Sequence, residues 1–265
     1  FSPDHPFLYN EPLATMALSE AFGLSGSRYW REPARRGVDL LQRAQRPNPS
    51  GKGRWGWRYA SRTEVEDASR VTGDADYAKA LYDSDTSVTT WCVMALKSAQ
   101  LCGLEVDKES FAGAVEFCKY ATAGDGLVGY VDSKSAGGVV NGPYDSAFTY
   151  HPTTMSALGM CIRIFATHDP LDPFLDLAAK RIVQDRPAVP KDRSSIDYYY
   201  WYYGSLALNQ LDGPDSPRKN GKYWKPWNEA MVESVLALQD QAERGCTNGG
   251  WIASDRWGSA SGAGP

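Results

Sequence analysis

The chain has 265 residues and a formal net charge of −4. Hydrophobic residues make up 42% of it and aromatic residues 12%, which is enough apolar material for a sizeable buried core. Lysine and arginine form no long cluster and no apolar run reaches bilayer length, so we expect no nucleic-acid partner and no membrane-spanning segment.

Four segments carry apolar residues at the three- and four-residue spacing of a helix. The second is apolar nearly all round, which indicates burial on all sides. In chain order, the predicted faces are Ala14, Ala17, Leu18 and Ala21; Val88, Trp91, Cys92, Ala95, Leu96 and Ala99; Met155, Leu158, Gly159 and Ile162; and Tyr199, Tyr202, Tyr203, Leu206 and Ala207.

A more amphipathic segment follows each of these four, with charged residues on its opposite face. The pattern predicts an all-α chain of four helical hairpins, each with a buried and a half-exposed helix. We expect one domain over residues 1–265, with repeats near residues 5–58, 83–131, 149–187 and 196–251. The apolar faces of the amphipathic segments are Ala34, Val38 and Leu41; Phe111, Ala114, Val115 and Cys118; Phe174, Leu177 and Ile182; and Met231, Val235 and Leu238.

Two stretches, residues 61–80 and 132–146, lack sustained periodicity and are predicted to be surface insertions. The five cysteines are odd in number and include no Cys-x-x-Cys pair. Three of them, Cys92, Cys118 and Cys161, fall on apolar helix faces, so we expect free thiols and no cysteine-based zinc site. No metal or other cofactor is predicted.

Glycine–aromatic turns follow three of the hairpins. They are Gly51–Trp57 with Gln45 upstream, Gly126–Tyr130, and Gly249–Trp251 with Gln241 upstream. Glycine lets the chain reverse at positive φ, and the aromatic ring then closes the apolar end of the hairpin.

The Gln…Gly-x-Trp spacing resembles the repeat motif of squalene and oxidosqualene cyclases. The segments Tyr9–Leu18, Asp85–Leu96 and Tyr199–Leu208 look like inner helices of the terpenoid-cyclase and protein-prenyltransferase superfamily. Together with Trp224–Asn228, they resemble bacterial proteins that carry prenyltransferase/squalene-oxidase-type repeats. The resemblance implies an α/α toroid, in which inner helices surround a central cavity. Superfamily barrels have more than four hairpins, and the chain starts at Phe1 rather than Met, so we expect an incomplete ring with missing flanks.

Asp83 and Asp85 precede the second buried helix and partly match the aspartate run with which the cyclases protonate a polyene. The alternative is an N-cap, in which Asp85 or Thr86 accepts hydrogen bonds from the first free backbone N–H groups. The Asp-x-Cys zinc pattern of the prenyltransferases is not reproduced around Cys92, so a zinc-dependent prenyltransferase is not expected.

Asp85 and Asp197 occupy the same repeat position, ahead of the equivalent residues Ala95 and Ala207. Because inner-helix N-termini point to one end of a toroid, we expect a polar mouth there, suited to a cation, a sugar or acid–base chemistry. Local caps and core packing are the alternatives for the same residues. The catalytic candidates are Asp83, Asp85, His151 and Asp197, and the ligand-binding candidates are Asn10, Tyr150 and Tyr198, with Trp201 or Tyr202 deeper inside.

The sequence therefore favours a terpenoid-cyclase-like ligand-binding or interaction module of a larger bacterial protein. Its ligand would be an apolar isoprenoid or a saccharide, and its partners other domains of the same protein. The alternative is an enzyme that acts in the central cavity, either an isoprenoid cyclase or a polysaccharide lyase or hydrolase. A pure scaffold is the third hypothesis. A cyclase needs a deep apolar cavity with one buried acid, whereas a saccharide enzyme needs paired carboxylates and exposed aromatic rings.

Overall fold

A computed structural model describes residues 8–73, 82–135, 139–141, 147–149, 151, 153–167, 169–241, 247–252 and 255. Strands β1 (Val139–Asn141) and β2 (Ala147–Thr149) pair antiparallel. None of the helices in these residues is both long and apolar enough to cross a membrane. The helices are α1 (Asn10–Ser25), α2 (Arg28–Ala44), α3 (Arg62–Thr72), α4 (Thr86–Leu101), α5 (Lys108–Tyr120), α6 (Thr154–Thr167), α7 (Pro173–Gln184), α8 (Tyr198–Asp212) and α9 (Trp224–Leu238).

The chain forms two compact units. Unit 1 comprises Phe1–Ala136 and Cys161–Asp169, and unit 2 comprises Gly137–Met160 and Pro170–Pro265. Helices lie at the positions of the four predicted repeats, namely α1 and α2, α4 and α5, α6 and α7, and α8 and α9. The single toroid domain with the repeat boundaries given above stays a prediction.

Helix α4 is the most deeply buried helix of unit 1, as its nearly continuous apolar sequence predicts. Val88, Cys92, Ala95, Leu96 and Ala99 have no solvent exposure and belong to the main core of this unit. The outer helices α2 and α5 cover this core with the predicted apolar faces. The α4 prediction is therefore confirmed in detail.

The predicted face of α1 is only partly correct, because Leu18 packs against the core of unit 1 and Ala21 is half-buried, but the two other residues do not face the core. Ala14 and Ala17 are exposed, and the buried stripe is Pro12, Thr15 and Ser19. Close packing explains the difference, because a Cβ at Gly37 of α2 would lie 2.3 Å from the hydroxyl oxygen of Thr15. Small polar side chains on α1 let the two helices approach where larger apolar ones would not fit.

The predicted face of α8 is also displaced. Tyr202 is 48% exposed, whereas Tyr200, Tyr203 and Ala207 are buried. A Cβ at Gly204 would lie 2.5 Å from the Trp227 ring of α9, so this glycine fixes which side of α8 meets its partner helix. In a run of six aromatic residues, hydrophobicity alone does not distinguish the two sides.

The insertion at residues 61–80 contains helix α3, which was predicted as loop. A capping box starts this helix, with the Glu64 amide donating to the Ser61 hydroxyl and the Ser61 amide donating to the Glu64 carboxylate. Val65 is its buried anchor. The insertion at 132–146 contains a short 3-10 turn (Ser133–Ser135) and β1 among its described residues.

The cysteines in the described residues carry free thiols, as predicted. Cys92, Cys118 and Cys161 are buried on helix faces, and Cys102 lies at the end of α4. Cys246 lies outside the described residues.

Candidate functional site

The start of α4 is a buried N-cap. The Asp85 Oδ1 atom accepts a hydrogen bond from the Val88 amide at 2.7 Å, and the Asp85 amide donates to the Trp57 carbonyl at 2.9 Å. Asp85 has no solvent exposure. The capping interpretation of this residue is therefore confirmed, and the first glycine–aromatic turn is attached to the helix it precedes.

Both glycine–aromatic turns of unit 1 deliver side chains to this helix start. Arg58 and Tyr59 follow Trp57 directly, and Tyr130 ends the second turn, where its carbonyl accepts from the Thr86 amide at 2.8 Å. The Arg58 guanidinium lies 5.4 Å from the ring centres of both tyrosines, and the two phenol hydroxyls hydrogen-bond to each other. Both rings are therefore within cation–π distance of the same cation.

Two carboxylates share that cation. The Arg58 Nε atom lies 3.2 Å from Asp83 Oδ2, and its Nη1 atom lies 3.7 Å from Asp85 Oδ2. The second distance allows an ion pair but no hydrogen bond, and both of its atoms are buried without a hydrogen-bond partner. We call Arg58, Tyr59, Asp83, Asp85 and Tyr130 the α4 cluster.

Burial dominates the electrostatics of the α4 cluster. It raises the pKa of Asp85 to about 7, although Arg58 and the Val88 amide favour the ionised form. Burial opposes the Arg58 charge, but Asp85 and Asp83 outweigh it, so the pKa of Arg58 is raised. Burial together with Asp85 also raises the pKa of Tyr59. Asp85 therefore keeps its proton to a higher pH than an ordinary aspartate, while the Asp83 side chain is 42% exposed.

Further aromatic side chains extend along α4 from this cluster. The Trp91 indole N–H donates to the Tyr9 hydroxyl at 2.5 Å, and that hydroxyl lies 3.4 Å from the Ser87 hydroxyl. Asn10, a predicted ligand-binding residue, is exposed at the first position of α1. Sequence reasoning placed Asp83 and Asp85 here but missed Arg58 and the tyrosines.

A second cluster lies in unit 2 around His151. Its Nε2 atom is 2.5 Å from Asp185 Oδ2, and its Nδ1 atom is 2.8 Å from the Thr153 hydroxyl. Because a carboxylate only accepts, Nε2 carries the proton. The imidazole stacks on Tyr200, with ring centres 3.8 Å apart. We call His151, Thr153, Asp185, Asp197 and Tyr200 the His151 cluster.

Asp197 ties this cluster to the start of α8. Its Oδ1 atom accepts from the Tyr200 amide at 2.9 Å, as an N-cap, and its Oδ2 atom accepts from the His151 amide at 3.2 Å. The structure thus brings the predicted residues His151 and Asp197 together. It adds Asp185, which no sequence pattern indicated because it lies 34 residues from His151.

The remaining candidates lie on α8. Trp201 is buried, and Tyr198 contacts its ring edge-on at 5.4 Å. Tyr202 is largely exposed and contacts Tyr203. Tyr150 lies outside the described residues. That all these groups line one mouth stays a prediction.

Metal ligation has no obvious location in the described chain. Within the ranges given above, no group of three or more His, Cys, Asp or Glu side chains could hold an ion.

No protein-family model and no curated protein matches the sequence. Among solved structures, the chain is similar to an inactive variant of an α-1,6-mannanase, GH76A of Salegentibacter sp. HEL1_6, in complex with α-1,6-mannotetrose. The likeness has a TM-score of 0.54 and 13% sequence identity, and covers 92% of this chain and 67% of the other. This chain has the α/α-toroid fold.

The predicted fold class is therefore confirmed, while the match supports the toroid without supporting the terpenoid-cyclase and prenyltransferase superfamily in particular. The mannanase variant carries two adjacent aspartate-to-alanine changes. This toroid has no two adjacent aspartates, and Ser84 separates Asp83 from Asp85.

Proposed function

We propose that this toroid binds a saccharide at the α4 cluster and hydrolyses a glycosidic bond there. The observation that carries the proposal is the pair of carboxyl groups on one guanidinium, one exposed and the other buried with a pKa of about 7. Glycoside hydrolysis uses two such carboxyl groups, one protonated and one ionised.

Each carboxyl suits one role. Asp85 holds its proton at a pH where an ordinary aspartate has lost it, as a general acid requires. Asp83 is partly exposed and can act as the ionised partner. Asp85 is fully buried, so its contact with a ligand requires the Arg58 side chain, itself 25% exposed, to move aside.

The surroundings favour a sugar over other ligands. Tyr59 and Trp91 are partly exposed, their rings suit stacking on a pyranose, and their polar groups suit sugar hydroxyls. The similar mannanase supports the same class, since it was solved with α-1,6-mannotetrose. An α-linked hexose oligosaccharide is therefore the proposed substrate class.

An isoprenoid cyclase is the weaker alternative. Protonation of an alkene requires a much stronger acid than a carboxyl whose pKa is about 7. A ligand-binding module without catalysis would have the same contacts as the proposed hydrolase. Only the absence of turnover would distinguish it.

The test measures binding and cleavage of α-1,6-mannotetrose by calorimetry and product chromatography. We expect Asp83→Asn and Asp85→Asn each to lower turnover by about 100-fold or more, without a substantial fall in the melting temperature. Asp172→Asn, an N-cap change at α7 outside both clusters, is the matched control and should leave turnover unchanged. Binding without cleavage by the wild type would assign a binding module, and neither binding nor cleavage of an oligosaccharide panel would refute the proposal.

A further inference from the structure

The first and last glycine–aromatic turns have the same hydrogen-bond pattern. The Trp57 indole N–H donates to the Leu41 carbonyl at 2.7 Å, and the Trp251 indole N–H donates to the Val235 carbonyl at 2.8 Å. Each bond spans 16 residues. Residues of α2 and α9 can therefore be matched one to one.

A glutamine bond confirms the match. The Gln45 side-chain amide donates to the Trp55 carbonyl at 2.6 Å, and that of Gln239 donates to the Gly249 carbonyl at 2.7 Å, each across 10 residues. The predicted motif residue Gln241 is therefore wrong, and Gln239 takes that role. By the same offset, Val232 of α9 corresponds to Val38 of α2.

In unit 1 the hairpin α4/α5 covers this turn. The Trp57 amide donates to the Thr89 hydroxyl at 3.0 Å, and its carbonyl accepts from the Asp85 amide. The Gln45 side chain also donates to the Ser110 carbonyl of α5 at 2.9 Å. Trp57 is 0% exposed in this interface, and Val38 of α2 is 1% exposed.

In the described part of unit 2 the equivalent side chains are exposed. Trp251 is 51% exposed and Val232 is 49% exposed. Leu236, four residues after Val232 on α9, and Ile252, directly after Trp251, are exposed as well. We call these four side chains the α9 face. Isolated exposed apolar residues are ordinary, but these occupy the repeat positions that form an interface in unit 1.

We infer that the α9 face is a docking surface for a helical hairpin of the α4/α5 type. The unit 1 interface specifies the chemistry of that partner. Its inner helix would begin with a backbone N–H directed at the Trp251 carbonyl and present a hydroxyl to the Trp251 amide. Its outer helix would offer a carbonyl to Gln239. The inference is independent of the proposed saccharide site.

The test extends the chain by joining residues 59–131 directly after Ile252, in the register in which they follow Arg58. We expect the Trp251 amide to exchange with solvent at least about tenfold more slowly than in the unextended chain. The indole should resist N-bromosuccinimide oxidation as Trp57 does in the same molecule. The paired changes V232E and L236E should reverse both effects in the extended chain. In the unextended chain they should shift the melting temperature by no more than about 2 °C, since both side chains are exposed.

Three outcomes would overturn the inference. The first is a Trp251 that stays as reactive in the extended chain as in the unextended one. The second is a dimer of the unextended chain that V232E and L236E dissociate, which would make a second copy the partner. The third is protection of Trp251 by α-1,6-mannotetrose in the unextended chain, which would make the face a sugar platform.

Discussion

Asp85 and Asp197 hold the same repeat position and make the same hydrogen bond, in which one carboxylate oxygen accepts from the amide three residues on. Their second oxygens differ. That of Asp85 faces a guanidinium inside a fully buried cluster, whereas that of Asp197 accepts a backbone N–H from His151. A cap position can therefore carry a purely structural carboxylate or one whose protonation is adjustable, depending on what the neighbouring turn supplies.

The largest expected effect tests the Asp85 side of this comparison. The pKa of Asp85 rises from 3.8 to about 7 on folding, so the folded chain keeps a proton that the unfolded chain releases. Stability should then fall as pH rises between those values. At about 1.4 kcal/mol per unit, the wild type should lose roughly 4 kcal/mol more than Asp85→Asn between about pH 4 and pH 8.

Urea unfolding across that range measures the difference. Arg58→Met is a second test of the same pKa. Loss of the cation raises the pKa of Asp85 further, so the stability of this variant should keep falling up to a higher pH than that of the wild type. Parallel stability curves for the wild type and Asp85→Asn would contradict the raised pKa.

A smaller effect tests the shared capping role. Asp85→Ala and Asp197→Ala should each be about 1 kcal/mol less stable than the asparagine variant at the same position, because one buried N–H at the helix start loses its acceptor. Asparagine should restore most of the loss at both positions. Restoration at only one position, seen in the same denaturant series, would mean that the other carboxylate acts through its charge.

The smallest effect concerns the His151 cluster. Asp185 is 65% exposed, so Asp185→Asn should lower the free energy of unfolding by about 0.5 kcal/mol or less at neutral pH. Thermal unfolding of Asp185→Asn and Asp185→Ala, each compared with the wild type, measures this loss. A loss as large as that from Asp197→Ala would show that the imidazole–carboxylate pair holds the start of α8 as firmly as the cap does.

Much of the fold could be predicted from spacing alone. The apolar period located four hairpins, and the equal offsets of Asp85 and Asp197 identified two caps at equivalent positions. The buried side of α8 could not be predicted, because six consecutive aromatic residues do not differ enough in hydrophobicity to show which of them face the core. Helix α3 had a visible Ser61-x-x-Glu64 capping signal, but its few apolar residues left the period too weak to detect.

The candidate site was only half predictable. Local spacing placed Asp83 and Asp85 before a helix. The approach of Arg58 depends on how the preceding turn closes on that helix, and that of Asp185 on where α7 ends. Both are tertiary contacts that a single sequence does not encode as a pattern.

The turn that follows α2 or α9 also bears on the order in which the chain assembles. The tryptophan and glutamine bonds that define it span only 10 to 16 residues, so either turn can close as soon as its own segment has been synthesised. The start of α4 is different, since it is held by the Trp57 carbonyl upstream and the Tyr130 carbonyl downstream. During synthesis from the N-terminus, the turns after α2 and α9 can therefore form locally, whereas the start of α4 has both of its backbone partners only after Tyr130 has emerged.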